Sequence, residues 1–505
     1  MPYERGDAFS KKPHKQNFIT RRVNAWFDRV VGAVKGDGLA DADEMYDSHQ
    51  TSRDFVWNSV GTACWSFVFP VVTMVSTQLI GVEQAGMISM AFVIALLLMF
   101  VGNFGTRAYQ ASDIKREHSF MDYQVTRWVT CVVMLLLGWL YCIFRGYSGD
   151  MMNITTGVLI YSCVDALADV YEGRLQQVDK LYLAGISQAI RSAAALIFFC
   201  IFLVVTQNAA SACWAMAIVA VITLVIVTIP LALLETEKSH NFSIDSVVKL
   251  LKITFPLFIA LFLFNVVENM PKLVMEGSLS YDAQLYFNAL YFPAQCILIV
   301  GQLVYKPLTV RMADVWQDDS KRKKFDLFLL VILLVIVGIT AGAWFIMATV
   351  GIPIMSFFYG IDFEDFRSLS YVMIVTGGVT CAIDFIYQVI TVMRRQKDVT
   401  TLYLVTFGFS LFIPSLLIGF EGLNGAILSY LIIESILLVL LVWEYFRIRG
   451  DLTRESQIRK ETEEHVRQSF LDLDQENSGA HVESRHVRTH EQQRQGRHER
   501  VGRTR

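Results

Sequence analysis

The chain has 505 residues, of which 54% are hydrophobic and 18% charged, and its formal net charge is -3. Soluble domains carry about 25% charged residues, so this composition excludes an ordinary soluble protein, and the small net charge gives no basis for nucleic-acid binding. The eight Cys all fall inside apolar stretches, without a C-x-x-C pair or nearby His, and read as small buried hydrophobes rather than disulfides or zinc ligands.

In chain order, the first segment, 1–54, is polar and contains no apolar region of the kind a cleavable signal needs. Within it, Val23, Trp26, Phe27, Val30, Val31 and Val34 recur at helical spacing among Arg21, Arg22 and Arg29. That pattern suits a short interfacial helix, or a tail that carries it by chance. Twelve stretches then reach the roughly 20 apolar residues a spanning helix needs. They lie near 57–80, 85–104, 127–146, 151–170, 184–206, 211–234, 252–274, 284–305, 325–350, 369–392, 400–419 and 423–446. The expected fold class is an all-α polytopic membrane protein, with a six-helix lobe over 55–234, a linker over 235–250 and a second six-helix lobe over 251–446. The tail, 447–505, is rich in Gln, Glu, Arg and His and is expected to be disordered.

Loop charges set the orientation. With the N-terminus inside, the inner loops and their edges hold eighteen Lys and Arg, against three (Arg145, Lys272 and Arg367) outside. Both termini are therefore expected in the cytoplasm. The two groups of six share a rhythm: Ala85 and Ala283 each open a helix that reaches a basic residue, Arg107 or Lys306, some two dozen residues later. Such repeats suggest two pseudo-twofold bundles around a central cavity that alternates access.

An ionisable side chain at membrane depth costs about 2.5 kcal/mol or more, so each needs a reason. Asp165 and Asp169 are four apart on one face, as are Glu268 and Lys272, and Asp384 and Glu434 stand in later helices. The plain reading is structural: Glu268 and Lys272 as a local pair, the other acids as glue between helices, Arg174 snorkelling to the surface. Arg191 has Ser187, Gln188 and Ser192 about it, a polar stripe of the kind that faces a wet cavity. The functional reading sorts these charges by sign. Arg107, Arg191, Lys272, Lys306 and Arg311 are candidates to bind an anionic head group. Asp165, Asp169, Glu268, Asp384 and Glu434 are candidates to carry a coupling proton or sodium ion. No other cofactor and no catalytic or metal-ligating set is expected.

Four stretches carry a family likeness: Leu79-Ile-Gly-Val-Glu-Gln-Ala-Gly-Met-Ile-Ser-Met-Ala-Phe92, Asn103-Phe-Gly-Thr-Arg-Ala-Tyr-Gln-Ala-Ser-Asp113, Tyr171-Glu-Gly-Arg-Leu-Gln-Gln-Val-Asp-Lys180, and Gly422-Leu-Asn-Gly-Ala-Ile-Leu-Ser-Tyr-Leu-Ile-Ile-Glu434. In order and spacing they resemble the polysaccharide transporters, the Wzx-type O-antigen and capsule flippases, of the multidrug/oligosaccharidyl-lipid/polysaccharide exporter superfamily. The resemblance spans about 55–446 and implies two six-helix bundles in a V or inverted V around a central cavity. It further implies a substrate linked to undecaprenyl diphosphate, a bacterial inner-membrane location and other polysaccharide-assembly membrane proteins as partners. A basic cavity is expected in such flippases, and Arg107 and Arg191 fall at matching places. The long hydrophilic ends depart from the pattern, and the acids do not align well enough to name the ion. Two alternatives remain at this stage. One is a drug/cation antiporter of the same superfamily, which would need an acidic, aromatic cavity. The other is a membrane-embedded polysaccharide polymerase or ligase, against which stands the shortness of the longest expected outer loop, Gly351–Ser368. Trp57, Trp65, Tyr109, Tyr286, Tyr291, Tyr305 and Tyr387 are placed to stack on sugars or to pack helices.

Overall fold

The computed structural model describes residues 42–113, 117–236, 242–317, 322–393 and 395–451, with isolated positions 454 and 462. The interfacial helix expected around Trp26, and nearly all of the tail after 451, lie outside these residues. The helices are α1 (Ala42–Ile80), α2 (Val82–Asn103), α3 (Thr106–Ser112), α4 (Phe120–Phe144), α5 (Gly149–Gln177), α6 (Leu181–Thr206) and α7 (Ala209–Glu235). After them come α8 (Ile244–Met275), α9 (Tyr281–Gln317), α10 (Lys324–Tyr359), α11 (Arg367–Val392), α12 (Gln396–Glu421) and α13 (Leu423–Asp451). All but the short α3 contain a stretch long and apolar enough to cross a membrane, twelve in number among the described residues. The chain divides into two compact units, Met1–Leu438 and Val439–Arg505. In the second, Arg447 pairs with Glu444 at 3.2 Å beside Trp443.

Helix ends overrun the apolar stretches, because backbone hydrogen bonding does not stop where hydropathy does. α4 begins at Phe120, about two turns before the expected 127, since Ser119 and Asp122 form a reciprocal capping box. α5 runs on to Gln177 and so takes Glu172 and Arg174 into the helix. α10 continues through a π-turn at Met347–Gly351, with Pro353 in the first turn after it, as far as Tyr359. The expected loop Gly351–Ser368 is thereby reduced to Gly360–Phe363 and a single 3-10 turn, Glu364–Phe366. Arg174 was expected to snorkel; it is buried, with Nη1 on Gln177 at 2.7 Å and its guanidinium over the Phe120 ring.

The most polar span lies deep in the packing, although α2, at mean hydropathy 2.4, is 67% buried as well. α5 is the least apolar span, at mean hydropathy 1.3, and is 72% buried. α10, at 2.8, is 11% buried. Lipid covers the apolar helices, so the polar ones have to find their partners inside. α1 and α6 cross at close range. A Cβ on Gly61 would stand 2.4 Å from the Gly185 carbonyl oxygen, so only glycine permits this backbone approach. Asp54 of α1 accepts from the Tyr182 amide at 2.9 Å, capping α6 from a neighbouring helix.

α2 and α4 of the first six spans also meet α8 and α9 of the second six. The helix ends joined by Lys- and Arg-rich loops are called here the basic end. At the opposite end, Gly86 abuts the Tyr281 carbonyl so closely that a Cβ would stand 2.1 Å from its oxygen. Nearby, Asn288 Nδ2 donates to Ser89 Oγ at 2.8 Å. Gln78 of α1 donates to the Phe358 carbonyl of α10 at 2.6 Å.

Candidate functional site

The sequence-selected charges separate into two buried clusters and one isolated acid. The first cluster is built on α5. Asp165, Asp169 and Glu172 sit at i, i+4 and i+7, which puts three carboxylates on one helix face. Three arginines meet them from three other helices. Arg191 of α6 gives Nε to Asp165 Oδ1 and Nη1 to Glu172 Oε1, both at 2.7 Å. Arg127 of α4 gives Nη2 to Asp169 Oδ2 at 2.7 Å, and its other nitrogen Nη1 to Asn103 Oδ1 at 2.6 Å. Arg107 of α3 gives Nη1 to Asp169 Oδ1 at 2.6 Å and Nε to Gln176 Oε1 at 3.2 Å. Three positive and three negative groups balance, as buried charges must.

Neutral donors complete this network. Trp65 of α1 donates to Asp165 Oδ2 at 2.8 Å. Ser187 lies 2.8 Å from Thr228, whose hydroxyl also receives Arg191 Nη1 at 3.4 Å. Thr228 closes the π-turn Leu224–Thr228 of α7, and Ile229-Pro230 follows it. That irregular turn sets the threonine against the arginine, a frequent use of π-bulges at functional sites. Exposure divides the arginines: the Arg107 side chain is 31% exposed, while Arg127 and Arg191 are almost wholly buried. Arg107 Nη2 makes no hydrogen bond among the described residues.

The polar stripe around Arg191, expected to face a wet cavity, is instead packed inside the protein: Ser187, Arg191 and Ser192 are buried, and the guanidinium is taken by Asp165 and Glu172. Glu172 and Arg127 were missed as site residues. Glu172 could have been found by extending the Asp165–Asp169 face by one more turn. Arg127 looked like a loop charge only because its helix starts earlier than its apolar run.

The second cluster lies among α8, α9, α11 and α13. Tyr291 donates its hydroxyl to Glu268 Oε1, and the same ring lies 4.2 Å from the Lys272 ammonium. Lys272 Nζ donates to Asn269 Oδ1 at 3.1 Å. The expected Glu268–Lys272 contact is thus mediated: the tyrosine takes the carboxylate on its edge and the cation on its face. Glu434 is fully buried. One of its oxygens receives Thr380 Oγ1 at 3.4 Å; the other, Oε1, has no hydrogen-bond partner among the described residues. Asp384 stands apart, receiving the Tyr305 hydroxyl and Gln302 Nε2, the latter at 3.3 Å. Lys306 and Arg311 lie on α9, and their side chains are outside the described residues. Of the aromatics considered as sugar platforms, Trp65, Tyr291 and Tyr305 serve here as donors to acids.

A third contact joins α4 to the segment after α8. Glu276 receives the Tyr141 hydroxyl and Arg145 Nε, the latter at 3.1 Å, while Arg145 also donates to the Glu276 carbonyl. Gly277, at φ +86°, gives the guanidinium room. Glu276 lies between the spans, and burial pushes its carboxyl above the ordinary 4.5, against the pull of Tyr141 and Arg145. Sequence reading had counted Arg145 only for orientation.

No protein-family model and no curated protein matches the chain. Solved structures match its fold. The lipid II flippase MurJ, in an inward closed conformation, superposes with a TM-score of 0.59 at 14% identity, over 78% of this chain and 87% of that one. An inward-facing multidrug resistance MATE family transporter of the MOP superfamily gives 0.57 at 13%, over 78% and 98%. The Vibrio cholerae MATE transporter VcmN in the bent form gives 0.51 at 14%, over 80% and 98%. The twelve-span architecture is that of this fold.

Proposed function

We propose that the chain is a flippase that moves an undecaprenyl-diphosphate-linked oligosaccharide across the bacterial cytoplasmic membrane for surface-polysaccharide assembly. The observation that carries this reading is Arg107. Alone among the three networked arginines it is part-exposed, and it keeps Nη2 free of hydrogen bonds among the described residues. A diphosphate accepts a guanidinium in the same forked geometry as a carboxylate, so it can share Arg107 with Asp169. Arg191 then acts as a positioning residue that anchors the acid face behind Arg107. Lys272, Lys306 and Arg311 are further contacts for the head group. The fold's likeness to a lipid II flippase supports a lipid-linked substrate. Other assembly proteins of the membrane are its proposed partners, and both termini face the cytoplasm in this reading.

Glu268, Asp384 and Glu434 are the proposed coupling groups, since none of them pairs directly with a cation within the described network. Asp165 and Asp169, each held by arginine, serve coupling only if an arginine is released during the cycle. A drug/cation antiporter is the second reading, favoured by the tyrosine-lined acids of the second cluster.

The test is a depletion strain complemented by variants. Arg107→Ala is expected to accumulate lipid-linked repeat units on the inner leaflet and to lower surface polysaccharide at least tenfold, with Arg107→Lys intermediate because it loses the fork. Normal repeat-unit distribution together with drug sensitivity on depletion would replace the flippase by the antiporter.

Alternating access predicts that the Glu276 contact breaks when the opposite end opens. An opened, solvated Glu276 titrates near its ordinary 4.5, whereas the closed contact raises that value. The closed form therefore binds the proton more tightly. It is favoured below the ordinary value and loses that advantage as pH rises through the raised one. Arg145, Tyr141 and Tyr281 are the ionisable neighbours. Pulsed-EPR distances between spin labels at Ser148 and Ser280 are expected to shift toward the longer population from pH 5 to pH 8. Glu276→Gln should abolish that shift; a shift that persists in the variant assigns it to another group.

A further inference from the structure

Where α2, α4 and α8 meet, an apolar groove of about 350 Å³ opens on the lipid-facing surface. Val101 and Phe104 form its floor, Val133 one wall, and Leu251 and Phe255 the other. Its volume is at the low end of the roughly 300–1,000 Å³ of ligand pockets. The floor is held firmly: Phe104 adopts φ +48° and stacks on Phe258 with centroids 4.3 Å apart. The lining hydroxyl, Thr130, donates to the Gly102 carbonyl at 2.7 Å and so presents no free polar group.

One cation lines this groove. Lys252 is exposed, lies about 12 Å along α8 from Ile244, and has no hydrogen bond or ion pair among the described residues. Lys249, three positions earlier on the same helix and toward the basic end, is likewise exposed and unpaired among the described residues. Asp245 in the first turn and Asp122, which receives Ser246 Oγ at 2.8 Å across the α4–α8 seam, both lie nearer the basic end than Lys252 and make no ion pair with either lysine among the described residues. An apolar slot beside hydrocarbon does not hold water. An unmatched lysine on its lining, with a second exposed lysine one turn away on the same helix, calls for an anion, and basic seams between spanning helices are a known way to hold acidic head groups.

We infer that this groove is a site for an anionic glycerophospholipid of the phosphatidylglycerol type. One acyl chain lies between α4 and α8, and the phosphate rests on Lys252 and Lys249. The site joins helices from the first and second six spans. Its occupancy therefore bears on their relative movement, whatever the transported substrate is.

Native mass spectrometry of the full-length protein, extracted into nanodiscs with equal phosphatidylglycerol and phosphatidylethanolamine, tests the assignment. The wild type is expected to retain phosphatidylglycerol several-fold over phosphatidylethanolamine. The double variant Lys249→Gln/Lys252→Gln should reduce that preference to near unity. Val133→Trp, which fills the groove without touching the charges, should lower total retention of the bound lipid. Equal lipid ratios in the wild type and the lysine variant overturn the proposal. So does displacement of the bound lipid by undecaprenyl phosphate at equimolar amounts, which would give the groove to a polyprenyl chain. Melting temperatures within about 2 °C of wild type show that the variants remain folded.

Discussion

Arg191→Ala is expected to lower the stability of the protein by about 3–5 kcal/mol, the range for removing one partner of a buried ion pair. The size of the effect follows from the geometry. Arg191 meets Asp165 and Glu172 at 2.7 Å each, and all three are almost wholly buried, so truncation leaves Asp165 without a cation and Glu172 with only Arg107 Nη1, 3.8 Å away. Ser187, Thr228 and Trp65 supply hydrogen bonds but no charge. Thermal melting followed by size-exclusion chromatography should show loss of the monodisperse peak well below the wild-type midpoint. The compensated variant Asp165→Asn/Arg191→Met removes one acid with one arginine, leaves Asp169 and Glu172 against Arg107 and Arg127, and is expected to recover much of the loss, because desolvation disappears together with attraction. This pairing separates positioning from binding. If the compensated protein is stable and still exports, Arg191 never contacts substrate. If Arg191→Ala melts like the wild type yet fails to export, the arginine belongs to the head-group site.

The membrane architecture was legible because its signal is one-dimensional: twelve apolar stretches and alternating loop charge. The site was half legible. Asp165, Asp169 and Arg191 announced themselves as charges with nowhere to go, and the structure brings them together. What the sequence could not supply was the third dimension of their partnership. Arg107 and Arg127 come from other helices, separated from Asp169 by sixty-two and forty-two positions. Nothing in local spacing says that both reach the same carboxylate. Glu268 and Lys272 show the opposite failure. Spacing of four suggested direct contact, but rotamers and a tyrosine from α9 decide where the two groups point. The extension of α5 to Gln177 explains the remaining omission. An apolar-run criterion ends that helix near residue 170 and leaves Glu172 looking like part of a turn, whereas the continued helix aligns it with Asp165.

Glu434→Gln is expected to reduce export at least tenfold while leaving the fold intact. Glu434 is fully buried, receives a single long hydrogen bond from Thr380, and has no ion pair among the described residues. The idealised Born cost of burying a bare carboxylate is of order 20 kcal/mol, and several kcal/mol survive relaxation. A bare negative charge at Glu434 is therefore costly in this surrounding, which is the ground for proposing it as a group that exchanges charge. Glutamine keeps the shape and the Thr380 contact while fixing the neutral form, so its melting temperature should match the wild type. What it removes is the ability to exchange charge during the cycle. Proteoliposome assays driven in turn by a proton gradient and a sodium gradient should locate the loss in one of them, which names the ion. Undiminished export by Glu434→Gln would make the residue structural glue and move coupling to Glu268 or Asp384. Those acids differ from it in a way the assay can read: each already receives a tyrosine hydroxyl, so its amide variant weakens a hydrogen bond to a carboxylate and should lower stability as well as transport.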